Sequence, residues 1–245
     1  MAAINESKQL FDFVYDTVEQ TPILDMHTHI YPPAFGDLLL WGVDELLTYH
    51  YLVAEYFRYN DARPEDFFKL DKTRQAELIW QELFINHSPV SESNRGVLTV
   101  LDSLDLNPGS RDLAAFREYF AAEKVENYVD RTFEEANVEA VVMTNDPFDD
   151  SERPVWERGE GGADPRFRAA LRIDPILMDW DNSSARMESW GYKTSKELDS
   201  QTLSEICRFL EDWIGRMNPL YLAVSLPPSF RFPEDSKRAK IIENC

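Results

Sequence analysis

The chain has 245 residues, with 25 Lys+Arg against 45 Asp+Glu and a formal net charge of −20. A hydrophobic fraction of 43% is enough for a sizeable core and excludes wholesale disorder, while the charge argues against nucleic acid or an anionic membrane as partner. Two cysteines, Cys207 and Cys245, fit neither a disulfide scaffold nor a cysteine zinc site. No apolar run reaches the ~18 residues of a membrane span. The acid-bearing N-terminus lacks a signal-peptide layout, so the expected compartment is the cytoplasm.

Leu10, Phe11, Val14 and Val18 at helical spacing predict an amphipathic helix over 5–20, broken by Thr21-Pro22. Residues 23–29 read as a short strand ended by Tyr31-Pro32-Pro33. From 37 to 136 the texture is helical, with helices expected near 38–41 and over 44–59, 71–86, 93–104 and 111–136. Residues 138–144 form a buried-strand pattern closed by the turn signal Asn145-Asp146-Pro147. The acidic, Gly- and Pro-bearing stretch 149–165 reads as a surface loop. A third strand is expected over 167–173, then a helix over 196–217 with Leu198, Leu203, Ile206, Phe209, Leu210 and Trp213 on one stripe. A fourth strand over 220–226 and a helix over 234–243 complete the pattern. Alternating strands and helices imply a parallel α/β fold. The expected organisation is 1–36 for the first helix and strand, 37–136 for a helical insertion, and 137–245 for further β/α units.

Ligands in such folds gather at the C-terminal strand ends. That places His27/His29, Asn145/Asp146, Arg172/Asp174 and Ser225 in one region. In His27-Thr28-His29 both imidazoles point the same way, because strand side chains alternate. Two neutral nitrogens so placed can hold a divalent cation; the plainer reading is a pair of turn histidines. Asp25 shares their face, as support for a ligand or as a buried polar group. Arg172 suits a carboxylate, since its planar fork can bond both oxygens; it could equally pair with Asp174 or Asp146. Tyr51, among Leu52, Val53 and Tyr56, could be a site residue or core. His50 reads as a structural neighbour and His87, beside Ser88-Pro89, as a loop residue.

The segment PILDMHTH (22–29) resembles the first-strand motif of the amidohydrolase superfamily, and the residues after it are similar to those of the uronate isomerases. His50-Tyr51 resembles the His-Tyr pair opening that family's helical insertion. DKTRQAELIW (71–80), VVMTNDPFDD (141–150) and ALRIDPIL (170–177) resemble its later motifs. Thr28 stands where the family has a cysteine, Asn145 where it often has Asp, Ile173 where it has Pro, and Ser225-Leu226-Pro227 where an Asp-His-Gly ending is expected.

The resemblance implies the N-terminal part of a metal-dependent-hydrolase-like TIM (β/α)8 barrel, with the helical insertion after strand one. It implies one divalent metal ion, with zinc the expected one, held by His27 and His29. It implies a hexuronate bound by Tyr51 and Arg172, and the aldose–ketose isomerisation of D-glucuronate to D-fructuronate or D-galacturonate to D-tagaturonate. No residue is singled out as the catalytic base. The other readings are a metal-dependent hydrolase of the superfamily and an inactive or partner-dependent fragment. An eight-stranded barrel needs about 250 residues before insertions, and only four strands are legible. The expected partners are accordingly a missing C-terminal half or a second copy of the chain.

Overall fold

A computed structural model describes residues 7–234 and 236–244. Four strands, β1 (Ile23–Thr28), β2 (Val138–Asn145), β3 (Phe167–Arg172) and β4 (Leu222–Ala223), form one parallel sheet in the order β1-β2-β3-β4. β2 is buried at every position from Ala140 to Asn145, as expected for a central parallel strand covered on both faces. The hydroxyl of Tyr221, beside β4, donates to the carbonyl of Met26 in β1. That bond joins the two edges of the sheet, so the sheet is curled.

The chain divides into two compact units, one built from 1–38 and 136–245 and the other from 39–135. In the first, the helix Ser200–Met217 buries Leu203, Ile206, Phe209, Leu210, Trp213 and Met217. Its Asp199 cap accepts from the backbone of Thr202 at 2.7 Å, satisfying one of the orphan amides of the first turn. Leu198, also expected on the buried stripe, lies before the helix begins.

The second unit is helical throughout. Leu47, Ile79, Leu83 and Leu101 are fully buried in its core. Arg117 ties three segments together: it bonds Asp44 Oδ1 at 2.9 Å, Glu77 Oε1 at 3.2 Å and the Thr73 carbonyl at 3.0 Å. The expected helix over 44–59 is two, Val43–Leu47 and His50–Tyr59, and that over 111–136 is Leu113–Ala122 and Val125–Glu135. The stretch 71–86 is α-helical over Lys72–Trp80 and widens to a π-helix over Gln81–Asn86. Leu83→Ala should cost about 2–5 kcal/mol, because the tightly packed surroundings collapse only partly into the space left. Denaturant unfolding followed by circular dichroism measures it.

Three expectations need correction. Residues 38–41 are no α-helix; Pro33–Leu39 forms 3-10 turns with a kink at Gly36 (φ 59°). The fourth strand shrinks from 220–226 to two residues. The supposed surface loop 149–165 contains the helix Arg153–Glu157, whose Val155 and Trp156 are buried. The first helix is Ser7–Gln20, and residues 5 and 6 of its expected span lie outside the described residues. The last helix is Ser236–Asn244.

Candidate active site

The site is built on the C-terminal ends of the four strands. β1 pairs Asp25 with Val141 and Thr28 with Met143, so three steps on β1 oppose two on β2. This bulge interrupts the strict alternation expected of the strand; such bulges re-aim side chains beside functional sites. Asp25 is drawn into it, its Oδ1 accepting from the His27 amide at 3.1 Å. The His27 and His29 rings lie 5.4 Å apart, edge to face at 89°.

His29 is tied to the neighbouring strand. Its Nδ1 is 3.1 Å from Thr144 Oγ1, and the same hydroxyl is 3.2 Å from the Thr28 carbonyl. Thr144 is 3% exposed. One residue further along β2, Asn145 is fully buried and donates Nδ2–H to Glu152 Oε2 at 2.9 Å, while its own Oδ1 has no partner among the described residues. The Asp146 amide donates to the same Glu152 oxygen at 3.2 Å. Tyr31 donates its hydroxyl to Glu152 Oε1 at 2.8 Å and lies 3.3 Å from the Thr144 carbonyl.

Glu152 is therefore a buried carboxylate clamping the loop after β1 to the end of β2. Sequence reasoning placed it in a solvated acidic loop. Burial raises its pKa to about 7, against the opposing pull of the Asn145, Tyr31 and Asp146 hydrogen bonds. Burial likewise raises the Asp146 carboxyl, and burial together with the Glu152 charge pushes the Tyr31 phenol up.

Arg172 ends β3 half-buried. Its Nε donates to Asp174 Oδ2 at 3.1 Å, and the other Asp174 oxygen accepts from the Ser225 amide at 2.7 Å. Burial alone would raise the Asp174 carboxyl, but the Arg172 guanidinium and the Ser225 amide outweigh it and hold the group below its ordinary value. The pairing with Asp174 exists, then, while engaging only the Nε edge of the fork; the two Nη groups remain as donors.

The structure thus gathers His27, His29, Asp146, Arg172, Asp174 and Ser225 at the ends of one sheet. Tyr51 belongs to the helical unit. It is 61% exposed while Leu52, Val53 and Tyr56 around it are buried, so it is not a core residue. With Glu55, Arg58, Tyr59 and Ser91 it lines an open cavity of about 550 Å³. The His50 ring lies beside those of Tyr49 and Tyr51, with centroids at 4.2 and 4.1 Å and the planes tilted by 48° and 47°. His87 packs on Tyr59 and sits 2.9 Å from the Glu82 carbonyl through Nδ1.

Imidazole nitrogens are the kind of donor a divalent ion such as zinc takes. Among the described residues no group of three or more His, Cys, Asp or Glu could hold a metal. Protein-bound zinc takes at least three protein ligands, so His27 and His29 alone do not make a complete site. Also among the described residues, no helix is long and apolar enough to cross a membrane.

A curled parallel β/α sheet with polar residues at its strand C-termini defines the architecture of the barrel enzymes. Neither a protein-family model nor a curated protein matches the sequence. Among solved structures, a uronate isomerase from Bacillus halodurans C-125 superposes with a TM-score of 0.94 at 52% sequence identity, covering 99% of this chain and 57% of that one. The chain is thus similar over nearly its whole length to a uronate isomerase, and spans rather more than half the length of that protein.

Proposed function

We propose that the chain supplies the metal-holding and carboxylate-reading part of a uronate isomerase. In this reading it converts an aldohexuronate such as D-glucuronate or D-galacturonate to the corresponding ketohexuronate, and further β/α units complete the barrel of the amidohydrolase type. What supports the reading is the strand-end constellation of His27, His29 and Arg172, together with 52% identity to a uronate isomerase over nearly the whole chain.

Each of this chain's groups has a task in that reaction. The Nη donors of Arg172 bond the sugar-acid carboxylate, and Asp174 keeps the guanidinium from turning away. In a chain of net charge −20, this local cation offsets a field that would otherwise repel the substrate. Tyr51, 61% exposed, is a candidate sugar contact carried over from the family resemblance alone. His27 and His29 would hold a divalent cation, which when bound supplies Lewis-acid polarisation of a carbonyl oxygen. Isomerisation moves one proton from C2 to C1 and one from O2 to O1, with no net oxidation. A hydrolase would need none of the carboxylate recognition.

The discriminating experiment uses the completed enzyme. Arg172→Met should raise KM for a hexuronate about 10- to 100-fold, the scale of losing a charge-assisted bidentate contact. Residual turnover of the matching neutral aldohexose should not change. Turnover of esters, lactones or amides in preference to hexuronates, or an unaltered KM in the variant, would overturn the assignment.

A further inference from the structure

The hydroxyl of Thr144 touches two groups at once, and it has a single proton to give. One neighbour is the Thr28 carbonyl at 3.2 Å, which can only accept. The other is His29 Nδ1 at 3.1 Å, which donates or accepts according to where the imidazole carries its proton. Only one arrangement satisfies both contacts: the hydroxyl donates to Thr28, and the Nδ1–H of His29 donates to the hydroxyl. In the other arrangement the hydroxyl proton goes to Nδ1, and the hydroxyl and carbonyl oxygens then face each other with lone pairs alone. Thr144 is 3% exposed and Thr28 7% exposed, so water has little access to relieve such a contact.

We infer that Thr144 is a positioning residue that fixes His29 as its Nδ1–H tautomer, leaving the Nε2 lone pair as the donor His29 presents to a ligand. An imidazole side chain in water favours the opposite, Nε2–H form, in which that lone pair is blocked. The neighbouring strand therefore pre-sets the ring that β1 presents. A hydrogen bond from the far ring nitrogen fixes ligating histidines in this way in metal sites generally. Here the partner is a hydroxyl whose own direction is locked by a main-chain carbonyl. His27 differs: its amide bonds Asp25 and its ring packs against that of His29. The consequence for cation binding rests on the metal reading above; the tautomer itself does not.

The test needs neither metal nor activity. Long-range proton–nitrogen correlation spectra of the uniformly 15N-labelled full chain, with metal removed by chelation and at pH near 8.5 where an ordinary imidazole is neutral, show each ring nitrogen as protonated or bare. The His29 ring is assigned by its loss in His29→Gln. The expected result is a protonated Nδ1 and a bare Nε2 in the wild-type chain. Thr144→Ser, which keeps the hydroxyl, should preserve it. Thr144→Val, nearly the same shape, should shift the tautomer ratio toward Nε2–H by roughly tenfold. A wild-type spectrum with Nε2 protonated overturns the inference whether or not the variants fold. So does a ratio left unchanged in a folded Thr144→Val chain. Loss of isomerase function with the Nδ1–H tautomer intact would count against the catalytic reading and leave this one standing.

Discussion

A polypeptide carrying the part of the Bacillus halodurans uronate isomerase that this chain does not match should bind the chain one-to-one. The mixture should convert hexuronate where the chain alone does not. Both sheet edges point to this result. In a closed barrel every strand has two neighbours, whereas among the described residues β1 pairs only with β2 and β4 only with β3. The apolar groups such a closure would cover are in place. Phe11 and Val18 of the first helix are each 67% exposed, and Ile23, Leu24 and Met26 of β1 are 43–49% exposed. That helix buries no residue at all. Covering one such side chain fully contributes about 1.5–3 kcal/mol, so a handful sustains a stable complex. Phe11→Asp and Val18→Asp disturb little in the isolated chain because both sites are open to solvent, yet each should weaken the complex by at least tenfold. Size-exclusion chromatography with light scattering reads the stoichiometry, and calorimetry reads the affinity. A homodimer that the added polypeptide fails to displace would assign the face to a second copy instead. No association with either partner would refute completion of the barrel.

The parts of this molecule legible in the sequence are those where one residue type can serve only one physical end. The strand over 138–144 could be read because a continuous apolar run suits a strand covered on both faces, whereas at His27-Thr28-His29 the two-residue period expected from the sequence is interrupted. The bulge between Asp25 and Thr28 left no trace, since it is set by pairing with β2 and not by composition. Glu152 was hidden for a different reason. In Asp149-Asp150-Ser151-Glu152 nothing local separates the buried carboxylate from the solvated ones. Its burial depends on Tyr31, Asn145 and the Asp146 amide, one of them 121 positions away. Thr144 looked like ordinary strand filling because its role needs the carbonyl and ring of the neighbouring strand. The helix breaks at Thr48-Tyr49 and Glu123-Lys124 carry neither Gly nor Pro, and only packing within the helical unit placed them.

Glu152→Ala should destabilise the folded chain by about 3 kcal/mol or more, because it strips the acceptor from the buried Asn145 side chain and from the Asp146 amide. Tyr31 suffers less, having the Thr144 carbonyl as a second acceptor at 3.3 Å. Glu152→Gln should be far milder. Its amide oxygen can receive the Asn145 and Asp146 donors, and its amino group can face the Tyr31 oxygen once that hydroxyl turns to Thr144. The two variants separate further with pH. The Glu152 pKa is raised from 4.5 to about 7 in the folded chain, so between those values the folded state holds a proton the unfolded state has lost. Its contribution is complete below pH ~4.5 and disappears as pH rises through about 7. The difference is on the order of 3 kcal/mol across that window. Asp146, also raised by burial, slopes the same way, while Asp174, held low by Arg172 and the Ser225 amide, acts only at more acid pH and with the opposite sign. Denaturant midpoints measured from pH 4.5 to 8 should therefore fall for the wild type and fall much less for Glu152→Gln. Identical slopes for the two would mean that Glu152 stays ionised throughout, and the buried clamp between Tyr31 and β2 would have to be redrawn as an ordinary solvated contact.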